Sequence, residues 1–519
     1  MRVVGRTRAV ALLGLSGAIV EVEADISAQL PKIVLIGLPD TALQQATHRV
    51  RAAAANAGIP LSPMAITVNL SPASLPKHGS GFDLAIALAC LAAAGDVGGA
   101  SVGRVVHIGE LALDGRLRPV AGVLPAVIAA RRAGCDTVMV PSANVAEAAL
   151  VPGIRVLGMP GLRDAAIWHG GNFEPIPIEP IEPAPTVAAP AGPAHEPDIA
   201  DVVGQDAALF ALQVAAAGGH HAFLLGPPGA GKTMLADRLP GLLPDLDEQA
   251  ALEVSSIRSL SGLGVGSALS NRPPIESPHH TATAAAMVGG GSAVIRPGAA
   301  VRAGHGVLFL DEAPEFQTAV LDALRQPLES GVISIHRANA VAHFPARFQL
   351  LLAANPCPCG QFGVEGGDCT CPPNARRRYL ARLSGPLLDR IDIQLRVQRV
   401  TSTHLAMAEQ RAGEPGGTVL TTAAARRLVE QARASAAERL STTPWALNNE
   451  VPGEWLRARV RRPGTQALAA LDRALERGGV TMRGYDRVLR VAWSIADIEG
   501  ATMPGAEHIA QALYLRRGI

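Results

Sequence analysis

The chain has 519 residues, 48% of them hydrophobic, 18% charged and 3% aromatic, which is too apolar for a disordered chain and long enough for about three cores. A formal net charge of +1 excludes a global electrostatic pull toward nucleic acid or membrane, so any such partner must be held by local patches. No segment reaches the roughly 18 uninterrupted apolar residues of a membrane helix, so a cytoplasmic protein with no membrane partner is expected.

Arg2, Arg6 and Arg8 precede an apolar run from Ala9. Gly14 and Gly17 interrupt that run and no small-residue cleavage site follows, so it reads as folded chain rather than a leader. Strand-like segments at 33–36, 65–68 and 105–108 alternate with helical patterns at 41–57, 82–94 and 123–133, giving an α+β domain over 1–165. Residues 166–198 form a linker, dense in proline, alanine and acid from 172 onward. Beyond it, Ala222-Phe223-Leu224-Leu225, Val307-Leu308-Phe309-Leu310 and Leu350-Leu351-Leu352-Ala353-Ala354 are continuous apolar runs that each end in polar residues. Such runs fit a parallel sheet covered by helices, with its site at the carboxyl ends of the strands. This α/β core is expected over 199–400, and a helical lid over 401–519 with helices near 422–440, 465–477, 483–499 and 506–516.

The first of those runs opens into Gly226-Pro227-Pro228-Gly229-Ala230-Gly231-Lys232-Thr233, which fits G-x-x-x-x-G-K-[ST] between a strand and a helix. Glycines admit backbone N–H groups to the phosphates of ATP, Lys232 is expected to reach the β and γ phosphates, and Thr233 to ligate Mg²⁺. Only Lys32, Lys77 and Lys232 are lysines among 46 basic residues, so a compact ammonium at 232 stands out. Asp311 and Glu312 end the second run: the first acid is expected to orient Mg²⁺, the second to polarise the attacking water. Asn355 ends the third and is expected to help place that water. Arg390, in Leu387-Leu388-Asp389-Arg390-Ile391-Asp392, is either an arginine finger for a neighbouring subunit or one half of a local Arg–Asp pair, with Arg382 as the second candidate finger. Arg483 opens a lid helix and is expected to touch the nucleotide of its own subunit.

Six cysteines, four of them between 357 and 371, suit a reduced compartment better than a disulfide framework. Cys357, Cys359, Cys369 and Cys371 bracket a glycine-rich loop and are either a tetrahedral Zn²⁺ site or free thiols. In the first domain, Lys77 and Ser80 suggest a Ser–Lys dyad, but a glycine-rich turn before a helix is the preferred reading.

Together these segments resemble the ComM/YifB family of magnesium-chelatase-like AAA+ proteins nearly end to end. The likeness rests on residues 34–40, 68–73, 75–83 and 109–115, on Pro278-His279-His280-Thr281 and Gly289-Gly290-Gly291-Ser292, and on Asn355-Pro356-Cys357-Pro358-Cys359-Gly360 and 384–390. It implies a Lon-protease-like first domain, inactive here because Ser80 is one residue out of register and Gly122-Val123-Leu124-Pro125 lacks a lysine. It also implies a homo-hexameric ring that uses ATP to move single-stranded or branched DNA, including branch migration during recombination in natural transformation. A hairpin at 331–337 fits the family's pore element, with His336 and Arg337 as phosphate contacts; Arg376, Arg377 and Arg378 and the cluster at 457–462 are further candidate backbone contacts. The competing readings are a magnesium-chelatase ATPase subunit and a protein-remodelling ring.

Overall fold

The computed structural model describes residues 4–37, 41–75, 77, 79–182, 197–291, 295–337, 340–364, 367–404, 406, 410, 420–458 and 462–517. Parts of the linker, the hairpin tip at 338–339, and Arg459 and Arg461 of the second basic cluster lie outside the described residues.

The amino-terminal apolar run forms a long antiparallel hairpin. Strand β1 (Gly5–Leu13) pairs with β2 (Ser16–Ser27) from Gly5 opposite Ala24 to Leu13 opposite Ser16, and Gly14 makes the turn with φ 63°, where a side chain would be strained. With β3 (Ile33–Ile36), β4 (Ala65–Ser71), β5 (Val106–His107), β6 (Thr137–Pro141) and β7 (Arg155–Met159) it builds a mixed sheet ordered β3-β4-β2-β1-β5-β6-β7. Helices α1 (Thr41–Asn56), α2 (Asp83–Ala94), α3 (Val123–Arg132) and α4 (Leu162–Trp168) accompany the sheet. The Leu/Ala sequence of α2 has no polar face because the helix is buried from Asp83 to Ala92. Leu162, Ala165 and Ala166 of α4 belong to this same core, so the first domain continues past the boundary expected at 165.

The second domain opens with α5 (Asp206–Gly218) and β8 (Ala222–Leu225), followed by α6 (Lys232–Leu242) and α7 (Glu248–Leu260). Strands β9 (Ile275–Glu276), β10 (Val307–Leu310), β13 (Gln349–Ala354) and β14 (Ile393–Arg396) join β8 in a five-stranded parallel sheet ordered β9-β10-β13-β8-β14. Strands β8, β10 and β13 are buried at every residue, which is why they read as unbroken apolar runs; each fully buried Leu or Phe contributes roughly 1.5–3 kcal/mol. Between β10 and β13 stands the hairpin of β11 (Val332–Arg337) and β12 (Ala340–Pro345), and α8 (Pro373–Leu380) precedes β14.

The expected helical lid is present as α9 (Thr422–Leu440), α10 (Thr465–Glu476), α11 (Met482–Ile498) and α12 (Ala506–Arg517). Val429, Leu440, Val488 and Leu489 share one core with Val214, Leu235 and Leu239 of α5 and α6, so the lid is packed onto the helix that carries the phosphate loop's lysine. The first domain is joined to the motor as well. The Gly122 amide donates to the Ser259 carbonyl at 3.0 Å, and Leu13 and Leu15 of the β1–β2 hairpin pack into the motor core. A Cβ on Gly14 would lie 2.9 Å from the carbonyl oxygen of His343 in β12, so the first domain sits at the base of the hairpin. Among the described residues no helix is long and apolar enough to cross a membrane.

Candidate active site

Parallel strands bring their carboxyl ends to one edge of the sheet, and that edge collects the predicted site. After β8 the chain turns through Gly229 (φ 76°) and Gly231 (φ 84°) into α6. A Cβ at Gly226 would lie 2.3 Å from the Val397 carbonyl oxygen, so only glycine fits there. The loop residues Pro227, Pro228 and Ala230 complete the cradle at the start of an eleven-residue helix, whose free N–H groups and dipole favour phosphate.

Lys232 is buried, and its ammonium donates to Gly226 O at 2.7 Å, Pro227 O at 3.0 Å and Asn355 Oδ1 at 3.0 Å. All three of its protons are therefore directed at the loop and at the end of β13. Burial lowers its pKa, while Asp311 and Glu312 oppose that shift. Thr233 Oγ1 donates to Asp311 Oδ2 at 2.8 Å, which places a hydroxyl and a carboxylate side by side, the donor pair that Mg²⁺ accepts together with phosphate oxygens. The Glu312 amide donates to Asp311 Oδ1 at 2.8 Å, and Glu312 itself adopts a left-handed backbone at φ 50°, unusual for a non-glycine residue and common where a site is held under strain.

One contact was not expected from the sequence. His280 Nδ1 lies 3.2 Å from Glu312 Oε2. The Pro278-His279-His280-Thr281 segment follows β9, beyond β10 on the side away from the phosphate loop, so this pair draws the Glu312 carboxylate sideways. The signal in the sequence was the histidine pair itself, whose rings stack at 4.1 Å.

Arg390 lies elsewhere. It precedes β14 by three residues, at the amino edge of the sheet, about 13 Å from the carboxyl edge for a four-residue strand. It donates to Pro386 O at 2.6 Å and pairs with Glu329, three residues before β11. The local Arg–Asp alternative is not what forms: Asp392 instead bonds His220 at 3.0 Å and Arg487 at 2.5 Å. Burial penalises the Asp392 carboxylate, yet Arg487 and His220 hold it well below the usual range. Arg382 pairs with Glu315 at 3.0 Å, three residues beyond Glu312 on the carboxyl side.

Arg483 was expected at its own subunit's nucleotide. It is 81% exposed and its ionic neighbour is Asp389 at 3.9 Å. Arg487, one turn later in α11, bonds the Arg390 carbonyl at 3.1 Å. The amino end of α11 therefore stands beside Arg390 at the amino edge, because α11 packs against α5 and docks by its Arg487 onto Asp392.

The four cysteines do converge. Cys357 and Cys359 Sγ are 3.4 Å apart, Cys369 lies 3.7 Å from each, and all four sulfurs fall within 4.8 Å of one another, so the cluster can hold a metal ion. The guanidinium of Arg376 stacks 3.9 Å over the exposed Phe362 ring beside them. In the first domain Ser80 bonds Glu110, whereas Lys77 donates to the carbonyls of Gly37 and Pro72; the two do not form a dyad.

Three family models cover most of the chain: magnesium chelatase subunit ChlI over residues 198–405, the ChlI subunit of Mg-chelatase over 22–144, and the ChlI carboxy-terminal region over 420–516. An uncharacterised protein of Mycobacterium tuberculosis is 48% identical over 515 residues, covering 99% of this chain and 98% of that one. Competence protein ComM of Haemophilus influenzae is 39% identical over 506 residues, 98% and 96% of the two chains. A Lon protease of Heliobacterium modesticaldum is 31% identical over 131 residues, 24% of this chain and 15% of that protein.

Proposed function

Because the chain belongs to the ComM/YifB family of magnesium-chelatase-like AAA+ ATPases, we propose that it is a homo-hexameric ring motor that hydrolyses ATP between subunits to move DNA. Branch migration during recombination of incoming DNA is the reaction this reading favours. The observation that carries it is the division of the site across the sheet. Lys232, Thr233, Asp311, Glu312 and Asn355 converge on the carboxyl edge, whereas Arg390 and Arg483 stand together on the amino edge, where they serve the nucleotide of an adjacent subunit.

In this mechanism the phosphates take the N–H groups of the loop and of the start of α6, and Lys232 exchanges its bonds to Gly226 O and Pro227 O for phosphate oxygens. Mg²⁺, when bound at Thr233 and Asp311, supplies charge neutralisation at the phosphates. Glu312 accepts the proton of the attacking water and Asn355 holds the water in line. Arg390 and Arg483 of the next subunit stabilise the charge that develops as the γ phosphate leaves. The thiolate set of Cys357, Cys359, Cys369 and Cys371 suits Zn²⁺.

On the DNA side, the β11–β12 hairpin offers His336, which is exposed, as a contact to the sugar–phosphate chain; the side chain of Arg337, the second candidate, lies outside the described residues. Glu329 connects the hairpin's base to Arg390, a direct route from DNA contact to the neighbour's nucleotide. Arg376, Arg377 and Arg378 add a sequence-independent charge cluster.

The test is ATP turnover with and without forked or single-stranded DNA, followed by strand displacement on a four-way junction with ATP against a non-hydrolysable analogue. DNA-stimulated turnover and ATP-dependent displacement are expected. Turnover indifferent to DNA would point instead to a chelatase-type or protein-remodelling ring.

A further inference from the structure

The four-cysteine knuckle is built onto the nucleotide site. Cys357 follows Asn355 by two residues, and Asn355 Oδ1 accepts from Lys232. Gly360 has φ 75°, and a Cβ there would lie 2.5 Å from Pro228 Cδ of the phosphate loop. At its far end the segment enters α8, where Tyr379 is buried and feels the Asn355 backbone. The knuckle and its following helix thus bear on two elements of the candidate ATP site.

The segment has little to keep it in place by itself. The described residues of 357–372 carry turns but no helix or strand, and Cys359 is exposed while Cys369 and Cys371 are half-buried. Apolar packing does not explain why four thiols meet there. Sulfurs about 2.3 Å from a tetrahedral Zn²⁺ are about 3.8 Å from one another, and the observed separations of 3.4, 3.7 and 3.7 Å match that edge. Thiolates also select a soft ion, so this set does not compete with Thr233 and Asp311 for Mg²⁺. Each thiol that ligates releases its proton to solvent.

We propose that the knuckle is a zinc-clamped strut that holds Pro228 and Asn355 in their nucleotide-binding positions, so that metal occupancy sets ATP affinity. The proposal rests on the zinc and ATP readings above and adds that the two sites are coupled. Cross-linking Cys357 and Cys359 to Cys369 and Cys371 fixes both ends of the loop. Without that link Gly360 lifts from Pro228 and the Asn355 amide loses its hold on Lys232.

The full-length protein is analysed for metal by mass spectrometry, and Mg²⁺-dependent binding of a fluorescent ATP analogue is titrated for wild type, Cys369→Ser and Gly360→Ala. One zinc per chain is expected in wild type. Cys369→Ser loses it, and the Kd for the analogue rises by about tenfold, the equivalent of one charge-assisted hydrogen bond. Gly360→Ala retains zinc, because it leaves every cysteine in place, yet shows the same rise, because its methyl group meets the Pro228 ring. That variant separates a displaced strut from a protein that has failed to fold. Iron, or no metal, in wild type overturns the zinc assignment. Zinc in wild type with unchanged affinity in both variants overturns the coupling and leaves the ATP reading intact. No analogue binding by wild type overturns the ATP reading itself.

Discussion

His280 Nδ1 lies 3.2 Å from Glu312 Oε2, and the contact draws the carboxylate proposed to activate water toward β9 and away from the phosphate loop. His280→Ala is therefore expected to raise turnover in the absence of DNA without changing the KM for ATP. Losing one half-exposed polar contact of about 0.5–1 kcal/mol corresponds to roughly two- to fivefold. The stimulation ratio with DNA should fall correspondingly. A lower turnover would mean that His280 supports Glu312 in its working position instead.

Lys232 and Glu312 are expected to fail in different ways. Lys232→Ala removes the cation that faces Gly226, Pro227 and Asn355 and should abolish nucleotide binding. Glu312→Gln keeps the shape but cannot take a proton, so it should bind ATP normally and lose about 10²–10⁴-fold in turnover. Equilibrium nucleotide binding beside steady-state hydrolysis separates the two.

A buried histidine pair gives the first domain a pH dependence. Thr7 Oγ1, His107 and His169 are joined at 2.6 and 2.9 Å, and Ser101 closes the chain at 2.9 Å. Burial holds His169 at about 4 and His107 well below its ordinary value, the latter with help from His169. The unfolded chain takes up protons at both residues near pH 6.5, whereas the folded pair refuses them until about pH 4 or below. Stability is thus full above pH 6.5 and is lost as pH falls toward 4, approaching about 1.4 kcal/mol per pH unit for each histidine. Denaturant unfolding between pH 7.5 and pH 4.5 should show that slope in wild type and a shallower one in His169→Gln. Equal slopes would remove the pair from the account.

Much of this architecture is legible in the sequence because parallel strands buried on both faces leave unbroken apolar runs, and each run here ends on a residue of the candidate site: Gly226, Asp311 or Asn355. The lid helices are similarly visible in their apolar periodicity. What the sequence hides is lateral placement. Nothing in the spacing of Arg483 tells that Arg487, a turn later, docks on Asp392 and carries Arg483 to the edge where Arg390 stands. Nor does the segment 278–281 reveal that β9 lies beside β10, which alone brings His280 to Glu312. The short strand β9 and the glycine-rich knuckle carry little period of their own, and their positions follow from strand order and from sulfur geometry.

Arg390 and Arg483 differ in how they are held. Arg390 is tied to Glu329 and Pro386, whereas Arg483 is largely exposed and has only the longer contact with Asp389 at 3.9 Å. Arg390→Ala should leave ATP binding intact and lower turnover by about 10³-fold or more, as for an arginine finger supplied from outside. Arg483→Ala should cost at least about tenfold, the value of one charge-assisted contact.

The division of the active site between subunits is tested most directly by mixing. Lys232→Ala chains are expected not to bind ATP but carry an intact Arg390; Arg390→Ala chains are expected to bind ATP but lack the proposed finger. Each alone is expected to be inactive. Mixed before ring assembly, they should recover DNA-stimulated ATP hydrolysis at junctions where an intact phosphate loop meets an intact Arg390. A mixture no more active than the two variants measured separately would contradict a site completed by the neighbouring subunit.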